Sequence, residues 1–168
     1  MSNKLELTWF GKEEEISVEP RLLIERTDLS NTDSEPDTEN MLIHGDNLLA
    51  LKALEKDFTG QIKCVYIDPP FNTGQAFEHY DDNLKHSIWL NLMFDRFKSL
   101  YKLLEKNGMF WIHLDDIEVH YCKVLLDEIF SRQNFVAHIT YERSAVAGLG
   151  QGGYLVNTTE HILLVLQL

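Results

Sequence analysis

The stretch that decides the fold is Val65-Tyr66-Ile67-Asp68-Pro69-Pro70-Phe71-Asn72-Thr73-Gly74. A β-branched apolar run ends here at a carboxylate, and two prolines prevent either a strand or a helix from continuing. In open α/β sheets, ligands bind in loops at the carboxyl ends of strands. We therefore predict that Asp68 follows a buried strand and begins a loop that carries the chemistry of the protein.

The Asp68–Phe71 segment contains the groups that are needed to hold a planar amine. The carboxylate of Asp68 can accept one N–H bond of an exocyclic amine, and the carbonyl of Pro69 can accept the other. Two acceptors draw the amine towards tetrahedral geometry and orient its lone pair towards an activated methyl group. Phe71 can stack on the base, which must leave a duplex to reach such a pocket. An Asp-Pro-Pro tripeptide also occurs in ordinary loops, so a structural role stays open at this point.

The chain has 168 residues, 44% of them apolar, and a net charge of −12. This length and composition fit one globular domain. Residues 1–40 hold 11 acids and 4 bases, a net charge of −7, and residues 41–168 have a net charge of −5. Neither part has the basic surface that binding to a DNA backbone requires. If the substrate is DNA, we expect the positive surface to come from elsewhere.

Several classes of protein are excluded by the sequence. No apolar run approaches the roughly 20 residues of a membrane helix, and the N-terminus has no signal-peptide pattern. Cys64 and Cys122 lie far apart, which predicts two small core residues in a reduced compartment. The seven histidines show no metal-ligand spacing. We therefore predict a cytoplasmic protein without a metal site.

The hydrophobic pattern predicts the element order β-α-β-α-β-α-β-β, preceded by an irregular acidic segment over residues 1–40. The predicted strands are 41–43, 62–67, 109–114, 135–141 and 161–166. The first predicted helix begins after a cap at Asp46 or Asn47. The second spans 87–106 and stops at Asn107-Gly108, and the third spans 117–130 after caps at Asp115-Asp116. The last two strands have no helical pattern between them. They predict an antiparallel hairpin with a mobile tip at Gly148, Gly150, Gly152 and Gly153.

Several segments together match one family along nearly the whole chain. They are Leu7-Thr8-Trp9, residues 40–51, residues 66–74, Trp89-Leu90 with Met93 and Arg96, Leu114-Asp115-Asp116 with Glu118, residues 126–130 and Glu160-His161-Ile162-Leu163. In this combination the chain resembles the modification (Mod) subunit of a type III restriction–modification system, a β-class adenine-N6 DNA methyltransferase.

The resemblance implies a Rossmann-like, S-adenosylmethionine-dependent methyltransferase sheet, which is mostly parallel and ends in an antiparallel hairpin. The residues implied to hold the target adenine are Asp68, Pro69, Pro70 and Phe71; the family more often has Tyr at the last of these positions. Asp46 is implied to bond the adenine moiety of the cofactor, and a plain helix cap is the alternative role for it. A supporting role is implied for the loop residues Asn72, Thr73 and Gly74. For Trp89, Met93 and Arg96 we predict packing and surface pairing.

In this family the motif precedes a target-recognition region, and a cofactor loop of the form Phe-x-Gly-x-Gly comes later still. The sequence contains no such loop, and the glycine-rich stretch at 148–153 has neither an apolar strand before it nor a helix pattern after it. We therefore expect residues 41–168 to be a partial, N-terminal portion of the catalytic domain, with an incomplete sheet and no activity alone.

The partners implied by the resemblance are double-stranded DNA, a second Mod subunit and the restriction (Res) subunit. One alternative function is a non-enzymatic, truncated product that associates with a full-length subunit. A second is methylation of RNA or of another amine. The enzymes of that second kind place the cofactor loop before the motif, and residues 1–40 contain none.

Overall fold

The structure, a computed structural model, describes residues 6–14, 17–19, 21–33, 35–72, 86–143 and 158–168. Its elements are α1 (Asn47–Phe58), β1 (Ile62–Ile67), α2 (His86–Leu103), β2 (Leu104–Leu114), α3 (Val119–Phe130), a 3-10 turn (Arg132–Asn134), β3 (Phe135–Glu142) and β4 (Thr159–Leu166). Helices and strands alternate up to α3 and two consecutive strands follow, which confirms the α/β class. Where described, residues 6–40 contain no helix or strand.

The four described strands form one open, mixed sheet in the order β1-β2-β4-β3. β1 and β2 are parallel, with Val65 opposite Phe110. β4 is antiparallel to β2 on one side and to β3 on the other. The C-terminal antiparallel hairpin is thus confirmed. The expectation of a mostly parallel sheet is wrong in its balance of pairings, because β4 lies between β2 and β3 and contributes two antiparallel ladders.

The strand predicted at residues 41–43 does not form. Met41 is 59% exposed and Leu42 is fully exposed. Among the described strands, β1 has a neighbour on only one edge, because β2 is its only partner in the sheet order. Residues 41–43 do not add to the open edge of β1, and the exposure of Met41 and Leu42 means that little apolar burial stabilises an extended segment here.

The boundary between α2 and β2 also differs from the prediction. α2 ends at Leu103 and β2 begins at the next residue. Asn107 has a φ of 67°, and the register between β1 and β2 shifts in this part of the ladder. A Cβ atom on Gly108 would lie 2.8 Å from the carbonyl oxygen of Glu105, so a side chain does not fit there. The Asn-Gly pair therefore marks an irregularity within a strand instead of the end of a helix.

The hydrophobic core lies between one face of the sheet and the helices α2 and α3. Alternate residues of β2 point into it, and Phe110, Ile112 and Leu114 are fully buried. The helix residues that complete this core are Trp89, Leu90, Met93, Phe97 and Leu100 of α2 and Val119, Cys122, Leu125, Leu126 and Phe130 of α3. The N-terminal segment adds Leu7 and Trp9, which pack against the core.

The opposite face of the sheet is more open. Tyr66 of β1 is 58% exposed there, and its neighbour Trp111 on β2 is half-buried. This alternation explains why only one cysteine behaves as predicted: Cys122 is buried, whereas Cys64 shares the open face with Tyr66 and is exposed. Within the described ranges, no helix combines the length and the apolar character that crossing a membrane requires.

Candidate active site

The Asp68–Phe71 loop begins directly after β1, as the sequence predicts. The side chain of Asp68 is 62% exposed, so its carboxylate is accessible to a ligand. The backbone of the loop is anchored from the core, because Nε1 of the fully buried Trp89 donates to the carbonyl oxygen of Pro70 at 2.7 Å. A buried indole N–H needs such an acceptor, and the bond ties the loop to α2. The loop therefore combines an accessible carboxylate with a fixed backbone.

Asn72 ends the described part of the loop in a left-handed conformation, with a φ of 64°. Asparagine tolerates this region better than most residues. Its Nδ2 donates at 2.6 Å to Oε1 of the fully buried Glu118, and the same oxygen lies 2.8 Å from Nδ1 of His86. A hydrogen bond to a carboxylate is among the stronger ones in proteins. These contacts tie Asn72 to α3 through Glu118, and the supporting role of Asn72 stays a prediction. Thr73, Gly74 and the glycine-rich tip at 148–153 lie outside the described residues.

His113 contacts both side chains that are predicted to hold the base. It lies on β2, one residue beyond the position that pairs with Ile67, which brings it beside the start of the loop. Its Nδ1 lies 3.4 Å from Oδ1 of Asp68. Its ring packs edge-on against the ring of Phe71, with the centroids 5.0 Å apart and an interplanar angle of 77°. The strand next to β1 thus adds a third side chain to the predicted site.

Behind His113 lies a group of polar side chains that we call the Glu160 cluster, made of His113, Tyr141, Arg143 and Glu160. Oε2 of Glu160 lies 2.7 Å from Nε2 of His113 and accepts the hydroxyl hydrogen of Tyr141 at 2.5 Å. Arg143 Nη1 donates to the other oxygen of Glu160 at 2.9 Å. Tyr141 and Glu160 are directly opposed on β3 and β4. Three strands therefore supply one connected network that ends at Asp68.

The pKa values in the cluster follow from these bonds. Burial raises the pKa of Glu160, but the hydrogen bonds from its three partners outweigh burial and leave that pKa below its usual value. The hydrogen bond to Glu160, together with burial, raises the pKa of Tyr141 to about 12. At neutral pH the cluster thus contains an ionised carboxylate that accepts a hydrogen bond from a neutral phenol.

The raised pKa of Tyr141 makes stability depend on alkaline pH. The contribution of Tyr141 to the free energy of unfolding is fully present below the pKa of 10.0 that its phenol has in the unfolded chain. It is lost as the pH rises towards the pKa of about 12 in the folded chain. In this window the unfolded chain releases the phenol proton and the folded chain retains it. We expect the free energy of unfolding, measured with denaturant, to fall across this window in the wild-type chain, and Tyr141→Phe to reduce the fall. Tyr121→Phe, at an exposed position on α3, is the matched control, and equal slopes in all three chains would contradict the prediction.

Asp46 forms the predicted cap of α1. Its Oδ1 accepts from the backbone nitrogens of Leu48 at 2.9 Å and Leu49 at 3.1 Å. Its Oδ2 lies 3.8 Å from Nη2 of Arg96 on α2, and the side chain is 55% exposed. The cap is therefore confirmed. In the described part of the chain, the contacts of Asp46 are with α1 and α2 and not with Asp68, so the two predicted site carboxylates are not in direct contact.

Several residues of this site were not predicted from the sequence. Packing is confirmed for Trp89 and Met93, but the bond from Trp89 to the loop was not foreseen. Glu118 and Glu160 lie in segments that match the family, but no role was predicted for either residue. His113 had one sequence signal, a polar residue at the end of an otherwise apolar strand next to the motif strand. The predicted caps of α3 at Asp115-Asp116 are wrong, because α3 begins at Val119 with Glu118 at its N-cap position. Asp115 instead accepts from Ile117 N at 2.8 Å in the turn before the helix.

Comparison with known proteins gives a consistent set of relatives. A family model described as DNA methylase matches residues 62–166. The probable type III restriction-modification enzyme HindVI Mod subunit of Haemophilus influenzae is 42% identical over 126 residues, which cover 74% of this chain and 17% of that protein. The type II methyltransferase M.KpnI of Klebsiella pneumoniae is 31% identical over 144 residues, which cover 81% of this chain and 34% of that protein. The chain thus spans about a third or less of the length of these curated relatives.

Among solved structures, the crystal structure of M1.HpyAVI has a TM-score of 0.52 at 18% identity, and the match covers 74% of this chain and 54% of that one. The crystal structure of the M1.HpyAVI-SAM complex has a TM-score of 0.50 at 20% identity, and it covers 74% of this chain and 53% of that one. At these identities the likeness concerns the fold.

Proposed function

Because the chain belongs to the DNA methylase family, we propose that its Asp68–Phe71 loop holds the exocyclic amine of an adenine for S-adenosylmethionine-dependent N6-methylation. One observation carries this proposal: an exposed carboxylate and an aromatic ring lie on one anchored loop at the carboxyl end of β1, and both contact His113. The resemblance of the sequence to adenine-N6 modification subunits supports adenine as the base, and one relative of the chain is named a DNA adenine methyltransferase.

The chemistry that the loop supplies is positioning and charge. Asp68 accepts one amine hydrogen and Pro69 offers its carbonyl oxygen to the other, so the nitrogen lone pair points away from both acceptors. Phe71 stacks on the base and excludes water from one of its faces. After the methyl group has been transferred, the amine is cationic, and the nearby carboxylate of Asp68 stabilises that charge until one proton leaves to solvent.

The cofactor when bound supplies an electrophilic methyl group. The one residue predicted to bind the cofactor is Asp46, which the structure describes. One carboxylate oxygen of Asp46 is used by the helix cap, and the other lies 3.8 Å from Arg96 on a side chain that is 55% exposed. This single acceptor fits the amine or hydroxyl donors of an adenosine group but contributes little affinity by itself. We therefore propose Asp46 as one contact of a cofactor site to which the described residues contribute only in part.

The proposed substrate is double-stranded DNA from which the target adenine is flipped out. The proposed protein partners are a second Mod subunit and a restriction subunit, and the similarity to type III Mod subunits supports them. A net charge of −12 means that this chain alone repels a DNA backbone, so the proposal requires basic surface from another region or partner.

The proposed amine site is testable with nucleosides, which need no DNA contact. We expect adenosine to bind the chain with a dissociation constant on the order of 1 mM in an NMR titration. Purine riboside keeps the stacking surface and lacks the amine, so we expect at least about tenfold weaker binding because two hydrogen bonds are lost. Equal binding of the two nucleosides would overturn the proposal, and tighter binding of cytidine would move it to a different base.

Cofactor affinity gives a separate prediction. Because Asp46 is the one proposed contact and the sequence holds no Phe-x-Gly-x-Gly loop, we expect calorimetry with S-adenosylmethionine to show no binding in the micromolar range. Methyl transfer to DNA by the chain alone is then undetectable. Micromolar binding that Asp46→Asn leaves unchanged would contradict both the partial site and the role of Asp46.

A second candidate function is association with a full-length Mod subunit, without catalysis by this chain. Two observations favour it: one edge of β1 has no partner among the described strands, and Met41 and Leu42 are exposed apolar side chains. Size-exclusion chromatography of the chain mixed with a full-length Mod subunit tests this candidate. Co-elution supports it, and separate elution counts against it.

A further inference from the structure

We propose that His113 is a positioning residue for the amine site: it orients the carboxylate of Asp68 and supports the ring of Phe71, and Glu160 in turn holds His113. This inference rests on the proposed function, since it concerns how the same loop is held. It follows from the side chains of three strands that meet beside the loop, and it assigns a role to residues on β2, β3 and β4 that lie outside the motif.

The orientation of the imidazole is fixed on its Nε2 side. The hydroxyl of Tyr141 donates to Glu160, so it presents a lone pair to Nε2 at 2.7 Å. Oε2 of Glu160 lies at 2.7 Å from the same nitrogen and is also an acceptor. Two acceptors around one ring nitrogen require that this nitrogen carry a hydrogen. The ring is therefore held in one orientation by β3 and β4, with Nδ1 directed to the loop.

The other side of the ring contacts the predicted site. Nδ1 lies 3.4 Å from Oδ1 of Asp68, and this distance shortens to a hydrogen bond with a small movement of an exposed carboxylate. Because Nε2 already carries a hydrogen, Nδ1 can donate to Oδ1 only when the ring is doubly protonated; in that form His113 holds Oδ1 and leaves Oδ2 to the substrate amine. The ring edge also packs against Phe71. One side chain, only 13% exposed, thus restricts both the carboxylate and the aromatic ring.

A competing explanation is that His113 only fills space beneath Phe71. The two explanations differ in what the substitution His113→Gln changes. A space-filling role predicts that adenosine and purine riboside lose affinity together, because both depend on stacking. A positioning role predicts a selective loss for adenosine, because only adenosine has the amine that Asp68 accepts. The ratio of the two affinities is therefore a readout that a general structural defect does not change.

The experiment measures this ratio and the ring-nitrogen NMR signals of His113 in the full chain. We expect His113→Gln and Glu160→Gln each to lower the affinity for adenosine relative to purine riboside by roughly tenfold. Loss of a hydrogen-bond partner that holds a binding residue has effects of this size. His120→Gln, at an exposed position on α3, is the control and should leave the ratio unchanged. An unchanged ratio in His113→Gln would overturn the inference.

The NMR signals separate failure of this inference from failure of the proposed function. In the ligand-free chain we expect the isosteric change Asp68→Asn to shift the Nδ1 signal of His113, and Glu160→Gln to shift the Nε2 signal. These shifts do not depend on nucleoside binding. If Asp68→Asn leaves the His113 signals unchanged, the contact is absent and the inference is wrong. If the signals shift but wild-type chain does not distinguish adenosine from purine riboside, the positioning contact stands and the proposed function fails.

Discussion

Asp68→Ala is expected to weaken adenosine binding roughly 10- to 150-fold, because the carboxylate is the charged acceptor for the amine and a hydrogen bond to a charged group contributes about 1.5–3 kcal/mol. Binding of purine riboside should stay within about twofold, since that ligand has no amine to lose a bond. The free energy of unfolding should change by about 0.5 kcal/mol or less, because the side chain is 62% exposed.

Two further variants sharpen the Asp68 prediction. Asp68→Asn keeps an acceptor oxygen without the charge, so we expect an intermediate loss of adenosine binding. Asp57→Ala removes an exposed carboxylate from α1 and controls for the change in net charge. If Asp57→Ala weakens adenosine binding as much as Asp68→Ala does, the effect comes from the net charge of the chain, and the loop is not the amine site.

Phe71→Leu should weaken the binding of adenosine and of purine riboside by the same factor. Leucine keeps most of the apolar volume that packs against the core and against His113 but has no aromatic face. Stacking of a base on an aromatic side chain contributes about 1–3 kcal/mol, which corresponds to roughly 5- to 150-fold in affinity. The measurement is the same NMR titration, carried out with both nucleosides.

Phe71→Tyr is the matched control for this loss. It keeps the stacking face and adds a hydroxyl. The resemblance indicates that Tyr is the commoner residue at this position. We expect both nucleosides to bind within about threefold of the wild-type affinity. A Phe71→Leu chain that binds adenosine normally would show that this ring has a packing role only, and a loss that spares purine riboside would assign to Phe71 a part in holding the amine.

The central loop was predictable from sequence because its signals are local. A β-branched run followed by Asp68 and two prolines leaves the backbone few options, and the structure has β1 end at Ile67 as expected. The cap by Asp46 is likewise a contact within three residues of sequence. The family resemblance, which rested on motifs spread along the chain, is confirmed by the match over residues 62–166.

The contacts that position the loop were not predictable, because they join residues that are distant in sequence. The bond between Trp89 and Pro70 spans 19 residues, and the contact between His113 and Glu160 spans 47. Such contacts depend on strand order, and the sequence did not indicate that β4 lies next to β2. The strand predicted at 41–43 is absent for a related reason: an apolar run becomes a strand only where its side chains pack against other parts of the fold, and Met41 and Leu42 are exposed.

The binding of N6,N6-dimethyladenosine relative to adenosine tests the central claim most directly. Dimethylation removes both amine hydrogens while the purine ring and its stacking surface remain. If Asp68 and the Pro69 carbonyl hold the amine, the wild-type chain should bind the dimethylated nucleoside at least about tenfold more weakly than adenosine. In Asp68→Ala most of that difference should disappear. Equal affinity of the wild-type chain for the two nucleosides would contradict the claim that this loop binds an amine.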